Sequence, residues 1–406
     1  MQIRLRRNTL ALGLGALIMT GCGRPATATV LPLPPFSTTV AQNQATQTAQ
    51  PQTPISSPEP TPAPVSPDLP PGSGRLVYYT TAGGKGSEIE IVPASGGATL
   101  PAAFPRDRSL FTDEMRSPWS PDRRYVIGED RRASADDERV FVVAAADGSN
   151  LREVARIPAT DRLLSGDFVW SPDSSKVAVI MKDAFNDPES TSLYASQRLL
   201  VIDVAGGSAS VVVDDVNLNN DHLAWSPDSQ SLAFSTGESH EPEIPRSLQT
   251  IRWDGSNQRT MVEDVYVLSI FWTRENTILF EGECDGNDYT ELCQLDPASG
   301  NYQPLYQTPD RNDTLRFFSL SPDERWLFAM DYRRNAFTLI NRASGAVEVI
   351  PGPASDFYSF SSLWSPDSRY VAVWGQDKRT YVYEVGSGRP LRPLISEIVL
   401  AWLPEK

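Results

Sequence analysis

One tetrapeptide, Trp-Ser-Pro-Asp, recurs along most of this chain. A copy with Leu in place of Trp and two degenerate copies extend the series. The copies are Trp119–Asp122, Trp170–Asp173, Trp225–Asp228, Trp272–Glu275, Leu320–Asp323, Trp364–Asp367 and Trp402–Glu405. A period of about 40–50 residues, in a chain of short apolar segments and turn residues, is typical of propeller blades. The repeat therefore predicts an all-β fold: a seven-bladed β-propeller of four-stranded antiparallel blades.

Each copy has the same surroundings, which define strands A to D of one blade. The tetrapeptide ends strand A, and strands B and C follow, as in Tyr125–Glu129 and Val140–Ala144. A Gly-rich turn such as Asp147–Asn150 then leads to strand D, because Gly accepts the positive φ of tight hairpin turns. In such a meander the B–C loops lie at one end of the blades, the B–C face. The tetrapeptides lie at the opposite end, the turn face.

The tetrapeptide itself is interpreted as a structural corner rather than a ligand site. Pro presets the turn, and the Ser and Asp side chains can bond nearby backbone N–H groups. Trp is a large apolar side chain suited to the space between blades.

The two ends of the repeat region are complementary. Ser396–Trp402 is a strand A with nothing after it, whereas Leu76–Thr80, Ile89–Pro93 and Thr99–Phe104 form a B–C–D set with no strand A. We expect the N- and C-terminal strands to pair and complete one blade. Such closure removes the exposed edges that an open sheet would present.

The Trp-Ser-Pro-Asp repeat, followed by an apolar strand and an Asp-Gly-Ser-Asn turn, resembles the WD40-like propeller repeat of the TolB family. The resemblance covers residues 75–406 and implies a β-propeller fold. This chain differs from the family pattern at the same position in five of its copies. The family's turn usually continues Ser-Pro-Asp-Gly, whereas Arg123, Ser174, Ser229, Glu324 and Ser368 follow the Asp here.

The N-terminal segment predicts export and lipid anchoring. Arg4, Arg6 and Arg7 precede an apolar run that is too short to span a membrane. The run ends in Met19-Thr20-Gly21-Cys22, which resembles a bacterial lipoprotein signal. We therefore predict a signal peptide over residues 1–21 and lipidation of Cys22. The alternative is an ordinary cleaved signal with an incidental Cys. The protein would be held at the cell membrane or envelope by its lipid alone, with its domain outside the cytoplasm.

Residues 22–74 form a predicted disordered linker. The segment is rich in Pro, Thr, Ser, Ala and Gln and nearly free of charge. It cannot bury enough apolar surface to offset its ordering entropy. The linker would hold the propeller, residues 75–406, away from the membrane, and we expect the protein to be a monomer.

Composition excludes several functions. The net charge of −15 disfavours nucleic-acid binding, which needs clustered Lys and Arg. Two His and no Gly-x-Ser-x-Gly motif offer little for His-based metal sites or a serine hydrolase. We predict no catalytic residues, no metal site and no cofactor. The predicted function is non-catalytic binding of a protein or ligand at the envelope. The alternative is a propeller enzyme acting on glycans, of the hydrolase or lyase type. Pairs of Asp or Glu around the central channel of a propeller could supply the two carboxylates that glycoside hydrolysis uses.

The binding residues are predicted on the B–C face. The loops Lys182–Gln197 and Thr236–Ser247 are the longest departures from the repeat, and loops on a rigid scaffold commonly carry function. Their acids favour a basic protein or peptide partner, although a solvated acidic surface is the alternative. The candidate residues are Asp183, Phe185, Asp187, Glu189, Tyr194, Glu238, His240, Glu241 and Glu243.

Cys284 and Cys293 flank another B–C loop. In a hairpin centred on Asp288 and Tyr289 the two would lie opposite each other. An oxidising compartment favours a disulfide between them, the alternative being two buried thiols.

Overall fold

The structure is a computed structural model. It describes residues 69–80, 88–104, 118–130, 133, 138–158, 164–184, 194–214, 218–237, 246–282, 284, 291–306, 315–331, 335–352, 357–375 and 379–405. Strands and turns account for the ordered elements of these residues, with no helix among them. No membrane-spanning helix candidate occurs in this part of the chain.

The strands form seven antiparallel sheets, one per blade, and so confirm the predicted propeller. Blade 1 contains β1 (Arg75–Thr80), β2 (Glu88–Pro93) and the last strand of the chain, β26 (Val399–Leu403). Blade 2 contains β3 (Tyr125–Glu129), β4 (Glu138–Ala145) and β5 (Arg152–Pro158). Blades 3 to 7 have four strands each.

The remaining strands follow in chain order. Blade 3 comprises β6 (Leu164–Trp170), β7 (Lys176–Ala184), β8 (Tyr194–Asp203) and β9 (Ser208–Val213). Blade 4 comprises β10 (Leu218–Trp225), β11 (Ser231–Thr236), β12 (Ser247–Arg252) and β13 (Arg259–Glu263). Blade 5 comprises β14 (Val267–Trp272), β15 (Ile278–Gly282), β16 (Glu291–Leu295) and β17 (Tyr302–Tyr306). Blade 6 comprises β18 (Leu315–Leu320), β19 (Trp326–Asp331), β20 (Ala336–Asn341) and β21 (Val347–Pro351). Blade 7 comprises β22 (Phe357–Trp364), β23 (Tyr370–Gly375), β24 (Thr380–Glu384) and β25 (Arg392–Ile395).

The predicted closure of the propeller is confirmed. Strand β26 pairs antiparallel with β1, with Leu76 opposite Trp402. The indole N–H of Trp402 donates to the carbonyl oxygen of Ser73 at 2.6 Å. The same indole stacks on the ring of Tyr370 in blade 7, with 6.1 Å between ring centroids. The C-terminal strand therefore completes blade 1 and also connects that blade to blade 7.

Blades 1 and 2 differ from the predicted four full strands. In blade 1, a single bridge between Ile91 and Leu100 takes the place of the predicted strand Thr99–Phe104. Pro101 follows this bridge and has no N–H to donate, so regular pairing stops there. In blade 2, a bridge between Trp119 and Val126 occupies the strand A position.

The hydrophobic core is divided among the seven junctions between consecutive blades. Strand residues alternate between faces, so each blade presents one apolar row to each neighbour. In blade 2, for example, Val126 packs toward blade 1 and Ile127 toward blade 3. Burying each such side chain contributes about 1.5–3 kcal/mol, and the contributions accumulate around the whole propeller.

The tetrapeptides form the structural corner that the sequence predicts. In the second copy, the Ser171 hydroxyl donates to Asp173 Oδ1 at 2.6 Å and accepts the N–H of Lys176 at 2.9 Å. The Trp170 indole N–H donates to the carbonyl oxygen of Pro118 in the preceding blade at 2.9 Å. The motif thus closes its own turn and also links adjacent blades.

Candidate functional site

The hairpin of β7 and β8 extends farther over the B–C face than the equivalent hairpin of blade 4. Met181 and Thr236 occupy the same position in the repeat. Pairing in blade 4 ends at Thr236 with Ser247, whereas in blade 3 it continues past Met181 to Ala184, which pairs with Tyr194. Three more residues in a strand add about 10 Å. The long segment Lys182–Gln197 therefore begins as an ordered extension of the β7–β8 hairpin.

Most of the predicted binding residues belong to the loop tips and lie outside the described residues. These are Phe185, Asp187, Glu189, Glu238, His240, Glu241 and Glu243. The backbones of Asp183 and Tyr194 lie in β7 and β8, at the end of the extended hairpin. The structure thus brings these two positions together at the base of one loop.

Buried acids occupy the B–C ends of three blades. Glu129 ends β3 and is 6 % exposed, and its carboxylate lies 3.3 Å from Arg139. Glu281 is 1 % exposed and accepts the hydroxyl of Ser269 at 2.8 Å. Asp331 ends β19 and is 2 % exposed. The register of β14 with β15 places Glu281 in the protein interior. The sequence feature that could have indicated these buried acids is an acidic residue at the end of an apolar strand.

A second acidic group lies between blades 7 and 1. The hydroxyl of Tyr78 donates to Glu90 Oε2 at 2.7 Å. The pKa of Tyr78 is raised, mainly by burial of the side chain and to a smaller extent by the hydrogen bond to Glu90. Burial and the nearby charge of Glu90 raise the pKa of Glu397, in the connection before β26. Two carboxylates therefore share this junction, a pairing that sequence spacing could not reveal because Glu90 and Glu397 come from opposite ends of the chain.

These acids do not form a metal centre in the part of the chain that is described, where no group of three His, Cys, Asp or Glu side chains could hold an ion. The oxygen-rich segment of residues 285–290 lies outside that part. The chemistry offered by the described B–C face is hydrogen bonding and negative charge.

Cys284 and Cys293 are joined by a disulfide, with 5.9 Å between their Cα atoms. The register differs from the one expected, because Cys293 lies opposite Phe280 rather than opposite Cys284. Apolar pairing of β15 with β16 sets this register, and Cys284 reaches its partner from just beyond the end of β15. Both residues are buried. Cys22 lies outside the described residues.

Comparison with models of known protein families and with curated proteins finds no match. Solved structures show the same fold. Oligogalacturonate lyase from Vibrio parahaemolyticus has a TM-score of 0.57 and 13 % identity, over 77 % of this chain and 87 % of the lyase. Prolyl oligopeptidase B from Galerina marginata has a TM-score of 0.56 and 12 % identity, over 83 % of this chain. This chain spans about half of that peptidase, at 51 % of its length.

TolB from Acinetobacter baumannii is also among the similar structures. Its TM-score is 0.46 and its identity 15 %, over 82 % of each chain. This TM-score is too low to support an argument about function. At these identities the lyase and the peptidase show the propeller fold alone, because one fold hosts many functions.

Proposed function

We propose that this protein is a non-catalytic binding propeller, attached to the bacterial envelope through a lipid on Cys22, and that it binds a protein partner through the B–C face of blades 3 and 4. The extended hairpin of β7 and β8 carries the proposal. Blade closure and core packing do not require it, since blade 4 ends its pairing three residues earlier. Ordering the extra residues of this hairpin costs conformational entropy that the fold does not require. Loops of this kind on a rigid scaffold commonly take part in binding.

The acids of the two loops favour a partner with a basic surface. Asp183, Asp187 and Glu189 belong to one loop, and Glu238, Glu241 and Glu243 to the other. Such a charge distribution increases the association rate with a cationic partner and makes that rate sensitive to salt. Phe185 and Tyr194 supply aromatic side chains of the kind that anchor protein interfaces.

The proposal is tested by shortening the hairpin. Lys182 and Gln197 are directly paired, so residues 183–196 can be replaced by Asn-Gly, which forms a two-residue turn. Thr236 and Ser247 permit the same replacement of residues 237–246. Full-length protein is used to capture partners from envelope extract, and the captured amount is compared between variants.

We expect each shortened variant to capture at least about tenfold less of the partner while its melting temperature stays within a few degrees of the parent. The matched control replaces residues 332–335 of blade 6, between the paired Asp331 and Ala336, by the same Asn-Gly turn. This control should capture the partner fully. Undiminished capture by both shortened variants would place the site elsewhere.

A further inference from the structure

A cleft of about 530 Å³ opens on the turn face, at the junction of blades 5 and 6. Its walls come from the turns that follow β14, β18 and β20. The lining side chains include Arg274, Glu275, Glu324, Arg325, Asn341 and Arg342. A volume of this size is typical of small-molecule sites. The cleft lies at the opposite end of the blades from the two long loops.

The tetrapeptide copies on the two sides of this cleft depart from the repeat in a matched way. Arg274 replaces the Pro of the blade 5 copy, and Glu324 stands where Ser follows the Asp in blades 3, 4 and 7. Because Arg274 has the N–H that Pro lacks, its backbone donates to Glu324 Oε1 and Oε2 at 3.2 and 3.0 Å. At the next junction the corresponding bond runs from the backbone of Asp323 to the hydroxyl of Ser368. The two replacements therefore fix Glu324 as one wall of the cleft.

Arg342 already holds a carboxylate that belongs to this chain. Its side chain is 15 % exposed, and its Nη1 donates to the carbonyl oxygen of Glu324 at 2.7 Å. Its Nη2 donates to Glu275 Oε2 at 3.4 Å, although the Glu275 side chain is 77 % exposed. An exposed ion pair contributes little to stability. A carboxylate from another molecule can therefore replace Glu275 on this guanidinium at little cost.

Arg325 has no acidic partner, unlike its counterpart in the next blade. In blade 7 the equivalent residue is Arg369, which lies 3.7 Å from Glu384. The strand registers place Asn341 of blade 6 in the position that Glu384 has in blade 7. Asn341 is uncharged, and the Arg325 guanidinium makes no hydrogen bond or ion pair with the described residues. Blade 6 therefore keeps the cation of this pair without its anion.

We propose that this cleft binds a small molecule through a carboxylate that accepts hydrogen bonds from the guanidinium groups of Arg325 and Arg342. The backbone N–H of Arg342 donates to the carbonyl oxygen of Arg325 at 3.0 Å, so the two side chains start from adjacent positions. The planar guanidinium matches a carboxylate through two parallel hydrogen bonds. A phosphate ester carries nearly two negative charges at neutral pH and fits less well, because Glu275 and Glu324 line the same cleft. This site is independent of the proposed partner surface on the B–C face.

The first test titrates the full-length protein with benzoate and succinate, with their neutral amides, and with inorganic phosphate. Ligand-observed NMR detects such weak binding. We expect both acids to bind with dissociation constants of about 1 mM or below, and the amides and phosphate to bind at least about tenfold more weakly. Equal binding of acid and amide, tighter binding of phosphate, or no binding of either acid would overturn the proposal.

The second test uses Arg325→Gln, which removes the unpaired guanidinium and no described contact. Its melting temperature should therefore match that of the parent, and it should bind both acids at least about tenfold more weakly. Arg369→Gln is the matched control, because Arg369 has the same position in the repeat but lies outside the cleft. This control should bind the acids as the parent does. Full binding by Arg325→Gln would contradict the proposed site.

The third test asks whether Glu275 competes with the ligand for Arg342. Glu275→Gln removes the competing charge, so we expect both acids to bind about two- to fivefold more tightly than to the parent. A purely structural pair would instead leave the affinity unchanged and lower the melting temperature. Unchanged or weaker binding of the acids to Glu275→Gln would remove Arg342 from the site and overturn the proposal in that form.

Discussion

The backbone N–H of Asp173 donates a hydrogen bond to the hydroxyl oxygen of Ser229, 3.1 Å away in the next blade. Ser174 accepts the N–H of Asp122 in the same way at 3.3 Å, and Ser368 accepts that of Asp323 at 2.9 Å. Each Ser follows the Asp of its own tetrapeptide and has a φ of 59° or 60°. These positions are the ones where the TolB family usually has Gly. Ser thus accepts a left-handed backbone and provides an inter-blade hydrogen bond that Gly lacks.

Two substitutions separate the backbone cost at Ser229 from its hydrogen bond. Ser229→Ala keeps the positive φ and loses the bond, so we expect it to lower the free energy of unfolding by about 1 kcal/mol. Ser229→Gly loses the same bond but relieves about 1 kcal/mol of backbone strain, so its effect should be close to zero. Urea denaturation measures both. Equal destabilisation by Ala and Gly would show that strain relief plays no part.

Removal of the Trp402 side chain should open the propeller at its closure. We expect Trp402→Ala to lower the free energy of unfolding by about 3–5 kcal/mol, because it creates a cavity and removes the stacking on Tyr370. Deletion of residues 397–406 should be at least as severe, whereas deletion of residues 23–68 should leave the melting temperature unchanged. Thermal denaturation followed by circular dichroism tests all three. A stable, cooperatively folded protein without its last ten residues would contradict this account of closure.

Glu397 should make stability depend on pH. Its pKa is raised in the folded protein by burial and by Glu90, so the folded state favours the protonated form. The resulting stabilisation is fully present below the unfolded pKa and is lost as pH rises through the folded pKa. Glu397→Gln should therefore be more stable than the parent near neutral pH, and the difference should vanish in acid. Urea midpoints of the parent and of Glu397→Gln, measured over a pH series, test this, and a difference that does not change with pH would contradict it.

The disulfide between Cys284 and Cys293 closes a short loop. In the chain-entropy description, losing a cross-link over a loop of about ten residues costs roughly 2–3 kcal/mol. We expect the double variant Cys284→Ala with Cys293→Ala to be destabilised by this order and to be insensitive to dithiothreitol. The parent should match the double variant only after reduction. A parent protein whose unfolding does not change on reduction would argue against a stabilising bridge.

Lipidation of Cys22 is a prediction from sequence, and mass spectrometry of the mature protein tests it. The N-terminal peptide should begin with an acylated Cys22. The protein should partition into detergent, and Cys22→Ala should release it into the soluble fraction with an unchanged circular dichroism spectrum. An intact residue 1 in the purified mature protein would refute the assignment.

The sequence was sufficient for the fold because the information is local and repeated. Each tetrapeptide specifies its own turn through Ser, Pro and Asp, as the contacts of Ser171 with Asp173 illustrate. Seven copies impose seven blades, and the unmatched strands at both ends could pair only with each other. The long loops were also evident from sequence, since they interrupt a known period.

The tertiary structure alone decided which side chains meet between blades. Ser229 accepts a hydrogen bond from Asp173, and Glu397 lies near Glu90, although each pair is far apart in the chain. Burial of Glu281 and of Gln197 depends on register and on which strand face meets the next blade. A one-residue change in register would move either side chain to the opposite face of its sheet. Local sequence patterns therefore determine the blades, whereas the contacts between blades, and with them the candidate binding groups, are determined by how the sheets pack.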